Sequence, residues 1–233
     1  MSGSAQQSAP SRISLFPLGL MAALLPLVTI HLSLFFSLYQ GHLEVCNPYW
    51  VSCHSVSATG RHGVAYFVFK GGMICAMSFL AVFWLINNVW LRQRVGYSGR
   101  SLVWLGGIAS VALVVYTLSL GHSGGAFYIL RRAGVVTYLG LTFIAQSILS
   151  YHLSRHPDHT MALAGKRLLR FCLSVLGIAL FTLVLDGLPM INYEPLEDMV
   201  EWILVVLLNI HALVVVSLWR REKLTLRLVA GSG

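Results

Sequence analysis

Cys46–Arg61, CNPYWVSCHSVSATGR, decides how the rest of this chain is read. It is polar, with two Cys, a His, an Arg and several hydroxyls, and it stands between two apolar runs, Leu15–Tyr39 and Val64–Leu91. Each run is long enough to cross about 30 Å of hydrocarbon as a helix. A polar segment bracketed in this way reads as a loop at a membrane face.

The pattern repeats outward from this loop. Further apolar runs at Ser101–Leu120, Ala133–Tyr151, Leu168–Leu188 and Met199–Trp219 bring the expected spans to six. The 233 residues are 57% hydrophobic and only 10% charged, with a mean hydropathy of +0.75. A soluble domain carries about 25% charged residues, so the outer surface of this chain must be solvated by lipid. The expected fold is therefore all-α: a polytopic membrane protein with a single six-helix transmembrane domain over residues 15–219. A disordered N-terminal lead over residues 1–14 and a basic tail over residues 220–233 complete it. The first run is too long for a signal-peptide core and lacks a small-residue cleavage site, so it reads as a retained span.

Loop charges set the orientation. Arg12, then Arg92, Arg94 and Arg100, then Arg155, Lys166, Arg167 and Arg170, then Arg220, Arg221, Lys223 and Arg227 share one face. Arg61, Arg131 and Arg132 lie on the other, and Lys70 falls inside the second span. Both termini are thus expected in the cytoplasm. The acids show the reverse bias: Glu44, Asp186, Glu194, Glu197, Asp198 and Glu201 fall outside, together with His42, His54, His62 and His122. The net charge of +8 is spread over separate loops, which is a topology signal and argues against a nucleic-acid partner. The chain shows no internal repeat of the kind transporters carry, which disfavours small-solute transport. Small-residue pairs Gly72/Ala76 and Gly106/Ser110 would let helix backbones approach closely.

Four polar elements gather on the outer side. Cys46 and Cys53 could close a disulfide in an oxidising compartment; the alternative is two free thiols. In Ser55–Arg61, SVSATGR, the hydroxyls Ser55, Ser57 and Thr59 alternate. They could line a lipid head-group cradle with Arg61 on the phosphate, or form a capped turn that satisfies its own backbone. Beyond Gly121 and His122, the residues Arg131, Tyr138, Thr142 and Gln146 fall within about 80° on a helix, a polar stripe expected to face the bundle interior. His122 could then act as acid or base, or be a plain interfacial His with the Arg residues snorkelling to head groups. In the last span Asp198, Glu201 and Asn209 share a face while His211 points away, and an intramembrane carboxylate such as Glu201 is a functional candidate by default.

On the cytoplasmic side, His152, His156 and His159 have metal-like spacing, but Pro157 breaks the helix between them, so they read as a hydrated loop. Mid-span His31 is expected to bond a neighbouring helix. No nucleophile-elbow, zincin, phosphate-loop or paired-cysteine motif occurs, so neither a metal nor a cofactor is expected.

The order of these elements resembles the Frag/DRAM/Sfk family. The resemblance rests on six spans and the Ser55–Arg61 motif in the first outer loop. It rests also on the block Gly121, His122, Arg131, Arg132 and Gly134 before the fourth span, and on Glu201, Trp202, Asn209 and His211 in the last. That family includes the lipid-remodelling factor of GPI anchors and the damage-regulated autophagy modulators. The resemblance implies membrane lipid as the partner, bound, remodelled or regulated at the outer face, with acyl transfer or hydrolysis as possible chemistry. In that reading Arg61, helped by Arg131 or Arg132, holds a head-group phosphate and Ser55 and Ser57 support it. His122 or His54 serves as acid or base, and Glu201 orients a partner. Short tails and compact loops look like a bacterial member of the inner membrane; a eukaryotic member would sit in endomembranes. A non-enzymatic scaffold or regulator is the competing expectation.

Overall fold

The computed structural model describes residues 12–186 and 194–227. The remainder of the lead, the loop 187–193 and the end of the tail lie outside the described residues. The long elements are helices: α1 (Phe16–Tyr39), α3 (Gly63–Val95), α4 (Ser101–Ser119), α5 (Gly125–Leu153), α6 (His159–Asp186) and α7 (Glu194–Arg221). A one-turn helix, α2 (Val56–Thr59), lies in the polar loop. Among the described residues, five helices (α1, α3, α4, α5 and the Asp198–Arg221 part of α7) are long and apolar enough to cross a membrane. The chain is an all-α integral membrane protein.

The helices pack as a ring. α1 lies on α3, α3 on α4, α4 on α5, and α7 closes back onto α1; α6 joins α5 closely and α7 loosely. Small residues set the closest approaches, as expected where lipid offers no hydrophobic drive between helices. A Cβ on Gly134 of α5 would sit 2.8 Å from the Ala112 carbonyl and 2.8 Å from Tyr116 Cβ on α4, so only Gly brings these helices together here. Gly72 abuts Thr29, and Gly106 abuts Trp84, so both small-residue pairs read from the sequence lie at helix contacts.

The core is aromatic at the end where Arg12–Ser14 pairs with Thr225–Arg227. Trp84 and Trp219 are fully buried, Phe83 lies 5.2 Å from Trp219, and the Trp219 indole N–H donates to Asn87 Oδ1 at 3.2 Å. Below it, Glu222 gathers three partners: the Trp90 indole N–H at 2.8 Å, Arg94 at 3.0 Å and His156 at 3.4 Å. His156 is therefore packed against an acid and not hydrated, while the His152 ring lies tilted against Tyr97 at 4.6 Å, so His152, His156 and His159 do not form a ligand cluster among the described residues.

Several boundaries differ from the sequence reading; α6, for one, begins at His159, nine residues before the expected Leu168. Arg12–Ser14, expected to close a disordered lead, forms strand β1, which pairs antiparallel with β2 (Thr225–Arg227) in the basic tail. The backbone groups of two tails that meet beside a bundle end satisfy each other, a pairing too short to show in either segment alone. Helix α5 begins eight residues earlier than expected, which puts Arg131 and Arg132 on a helix instead of a loop.

Asp158 caps α6. Its Oδ1 accepts the Thr160 and Met161 amides at 2.7 and 3.0 Å, and these backbone N–H groups hold its carboxyl below the usual carboxylate range. A depressed folded value means the cap stabilises above the ordinary carboxylate pKa and is lost as pH falls through the folded one. At neutral pH, Asp158→Ala is expected to speed hydrogen exchange at the Thr160 and Met161 amides and Asp158→Asn to do so much less. Exchange equal in both variants and the wild type would remove the cap.

Candidate functional site

At the end of the bundle away from the β1–β2 pair, the polar loop folds back over the helices. Cys46 and Cys53 are joined by a disulfide with their Cα atoms 6.7 Å apart. This leaves Cys75 and Cys172 as the free thiols. The sulfurs and the His54 ring nitrogens lie within 4.8 Å of one another, yet sulfurs spent on a disulfide cannot serve as thiolate ligands. Closing this short loop is worth about 2–3 kcal/mol in the chain-entropy account. Thiol titration of denatured, unreduced protein should count two groups; four would contradict the bond. Reduction should lower the melting temperature by several degrees.

The next residues form a capped turn. Ser55 Oγ accepts the Ala58 amide at 3.2 Å, and Thr59 Oγ donates to the Val56 carbonyl at 2.8 Å. Glu201 reaches from α7 to take the Val56 amide on Oε2 at 3.2 Å, and the Trp202 indole N–H donates to the His54 carbonyl at 2.8 Å. Ser52 Oγ accepts the Asp198 amide at 3.1 Å. Three successive contacts thus bind the loop to the first turns of α7. The Ser55 and Thr59 hydroxyls satisfy the turn's own backbone, and Ser57 bonds side chains instead. Ser57 Oγ lies 2.9 Å from Ser55 Oγ and accepts from the Arg61 guanidinium at 2.8 Å.

The turn, α4, α5 and α7 line an open cavity of about 680 Å³. Its polar wall includes Ser55, Ser57, Arg61, Arg131, Arg132 and Glu201. These are six of the residues the sequence singled out. Tyr116, Tyr128 and Asp198 also line it, and Val135, Val136 and Leu139 make an apolar side. Tyr116 is buried near the end of α4, beside Ser57 on the cavity wall and within electrostatic reach of Glu201, Arg61 and Arg131. Asp198 is within such reach of His54 and Arg61. Arg131 is partly committed to structure, donating to the Ser119 carbonyl at 3.2 Å and the His122 carbonyl at 2.9 Å. Arg132 lies further out, 3.4 Å from the Tyr128 hydroxyl. No family model, curated protein or solved structure matches the chain. The reading of this cavity therefore stands on its own chemistry.

The two His expected as acid or base are not in the cavity wall. His54 Nε2 bonds the Glu44 carbonyl at 2.9 Å, and what the site uses of His54 is its backbone carbonyl. His122 packs on Phe127 at 4.8 Å, with Nδ1 3.2 Å from the Leu120 carbonyl; its own carbonyl holds Arg131. Both imidazoles are occupied by the loops that carry them. Glu201 does reach the site, where it fixes the turn. His31 bonds Tyr49 in the loop, not a neighbouring helix: with Nδ1 donating to the Leu27 carbonyl at 2.7 Å, Nε2 accepts the Tyr49 hydroxyl at 2.8 Å. Burial pushes the Tyr49 phenol up, which keeps that proton in place.

The polar stripe of α5 faces inward. Tyr138, Thr142 and Gln146 are buried, and the Gln146 amide donates to the Leu208 carbonyl on α7 at 2.8 Å. Sequence reasoning missed Tyr116, Tyr128 and Asp198 as wall residues. A signal existed for Tyr128, an aromatic three and four residues before two Arg on one helix face.

Proposed function

We propose that this is a six-span inner-membrane protein of a bacterium, related to the Frag/DRAM/Sfk group. It binds the phosphate-bearing head group of an outer-leaflet lipid in the cavity between α2, α5 and α7. The observation that carries the reading is the meeting of Arg61, Arg131 and Arg132 with an apolar wall of Val135, Val136 and Leu139. Guanidinium groups bind phosphate through two parallel N–H bonds, and a charged rim on an apolar slot suits a lipid better than a free solute. Binding, and regulation through binding, fits the geometry better than acyl transfer or hydrolysis, because neither His54 nor His122 presents its ring to the cavity.

Topology supports the same picture. β1 precedes α1 directly and β2 follows α7 directly, so their pairing holds both ends of the bundle at one face. That arrangement is consistent with an even number of crossings, with α6 as the sixth span beside the five. The Lys and Arg bias makes that face cytoplasmic and the cavity periplasmic. A disulfide in the outer loop suits the periplasm as well.

Complementation tests the reading. In a host lacking the gene, the wild-type chain and His122→Ala are expected to restore the lipid profile, and Arg61→Gln/Arg132→Gln is not. Equal rescue by the double variant would remove the phosphate site from the function, and failure of His122→Ala at normal abundance would return that imidazole to it.

A further inference from the structure

The cavity wall carries both signs of charge, and they are sorted by element. The cations come from the turn and α5: Arg61, Arg131 and Arg132. The acids Asp198 and Glu201 come from one face of α7. A site built only for an anionic head group gains nothing from carboxylates on its wall, because like charges repel what the arginines attract. Glu201 has a structural duty, accepting the Val56 amide. The Asp198 carboxylate makes no side-chain hydrogen bond or close ion pair among the described residues, and its electrostatic neighbours are His54 and Arg61. What anchors Asp198 to the loop is its backbone N–H on Ser52, while its carboxylate lines the cavity.

From this separation we infer that the head group is zwitterionic with a primary amine. The ligand class is an aminophospholipid, whose phosphate lies on Arg61 and Arg132 and whose ammonium lies toward Asp198. The inference rests on the phosphate reading above and deepens it by naming the head group. A primary ammonium suits Asp198 for two reasons. It is compact and strongly hydrated, with three N–H donors that need acceptors once water is stripped away. The wall supplies the Asp198 carboxylate as the acceptor, with the already bonded hydroxyls of Ser55, Ser57 and Tyr128 on the same wall offering their second lone pairs. The Tyr128 ring adds a π face that attracts a cation. A quaternary choline ammonium has no N–H to give and is bulkier, so it would leave the Asp198 carboxylate without a hydrogen-bond donor. A glycerol head group has no cation at all and would place its phosphate in a field weakened by Asp198.

The test compares phosphatidylethanolamine, its N-methyl and N,N-dimethyl derivatives, phosphatidylcholine and phosphatidylglycerol. Each is offered at equal concentration to the delipidated full-length protein in detergent, and retained lipid is counted by native mass spectrometry. Retention is expected to fall stepwise as N–H donors are replaced by methyl groups, by roughly tenfold from the primary amine to choline, with phosphatidylglycerol also below phosphatidylethanolamine. This ladder needs no altered protein. Asp198→Asn is then expected to bring phosphatidylethanolamine down to the level of phosphatidylglycerol while leaving phosphatidylglycerol unchanged or tighter. Retention independent of methylation, phosphatidylglycerol above phosphatidylethanolamine in the wild type, or a folded Asp198→Asn that keeps the amine preference would each overturn the inference. Retention of none of the five would overturn the phosphate reading itself.

Discussion

Arg61→Gln/Arg132→Gln is expected to weaken phospholipid binding by a factor on the order of a hundred while leaving the fold in place. Each guanidinium contact to a phosphate is a charge-assisted bond worth about 1.5–3 kcal/mol, and two lost together give roughly 3–6 kcal/mol. The lower bound of that range already corresponds to a factor above a hundred. The pair is chosen because its structural duties are light. Arg61 donates to Ser57 and Arg132 to the Tyr128 hydroxyl, both at exposed positions. Arg131 is left out because its bonds to the Ser119 and His122 carbonyls tie the α4–α5 connection together. Its replacement would confuse a lost ligand contact with a moved helix. Titration of a fluorescent phospholipid into purified protein, with melting temperature recorded in parallel, separates the two. A double variant with wild-type affinity would contradict the assignment.

Trp202→Ala is expected to produce the largest loss of stability, about 3–5 kcal/mol. The indole is fully buried between α7, α1 and the disulfide loop. It meets His31 edge-on at 5.6 Å and Tyr49 edge-on at 5.6 Å, and its N–H satisfies the His54 carbonyl. Removing it leaves a void, two rings without their partner and an orphaned carbonyl. Trp202→Phe keeps much of the volume and loses the N–H, so its expected cost is the smaller one of an unmade bond, about 1–3 kcal/mol. Melting followed by size-exclusion fluorescence ranks them: wild type above Phe, Phe above Ala. Because Trp202 anchors the loop that carries the turn, the Ala variant should also lose lipid binding, although the indole does not line the cavity.

These two cases show what a sequence can and cannot reveal here. The spans are legible because lipid demands long apolar runs and satisfied backbones, and that demand is written residue by residue. The inward stripe of Tyr138, Thr142 and Gln146 is legible for a related reason: helical periodicity fixes which side chains share a face, and lipid excludes polar ones. Arg61, Arg131, Arg132, Ser55, Ser57 and Glu201 could be gathered on one side because loop topology alone puts them at one end of the bundle. Side-chain direction within a loop has no such periodicity. His54 and His122 were attractive by residue type, yet local carbonyls of Glu44 and Leu120 and the Phe127 ring take up their imidazoles. Tyr116 was invisible for the opposite reason. A phenol near a helix end reads as an interfacial anchor, and only the fold-back of α2 onto α7 brings Ser57 beside it. The β1–β2 pair joins two three-residue segments from opposite ends of the chain, a distance over which no sequence period operates.

The central claim is that a lipid head group occupies the cavity between α2, α5 and α7. Photo-crosslinking tests it most directly. A phospholipid with a photoactivatable group near the glycerol, added to the full-length protein in bilayer nanodiscs, is predicted to label Tyr128 to Leu139 on α5 and the start of α7. Labelling there should be lost in Arg61→Gln/Arg132→Gln. Labels spread evenly over the lipid-facing helix surfaces, with the same pattern in the double variant, would contradict it.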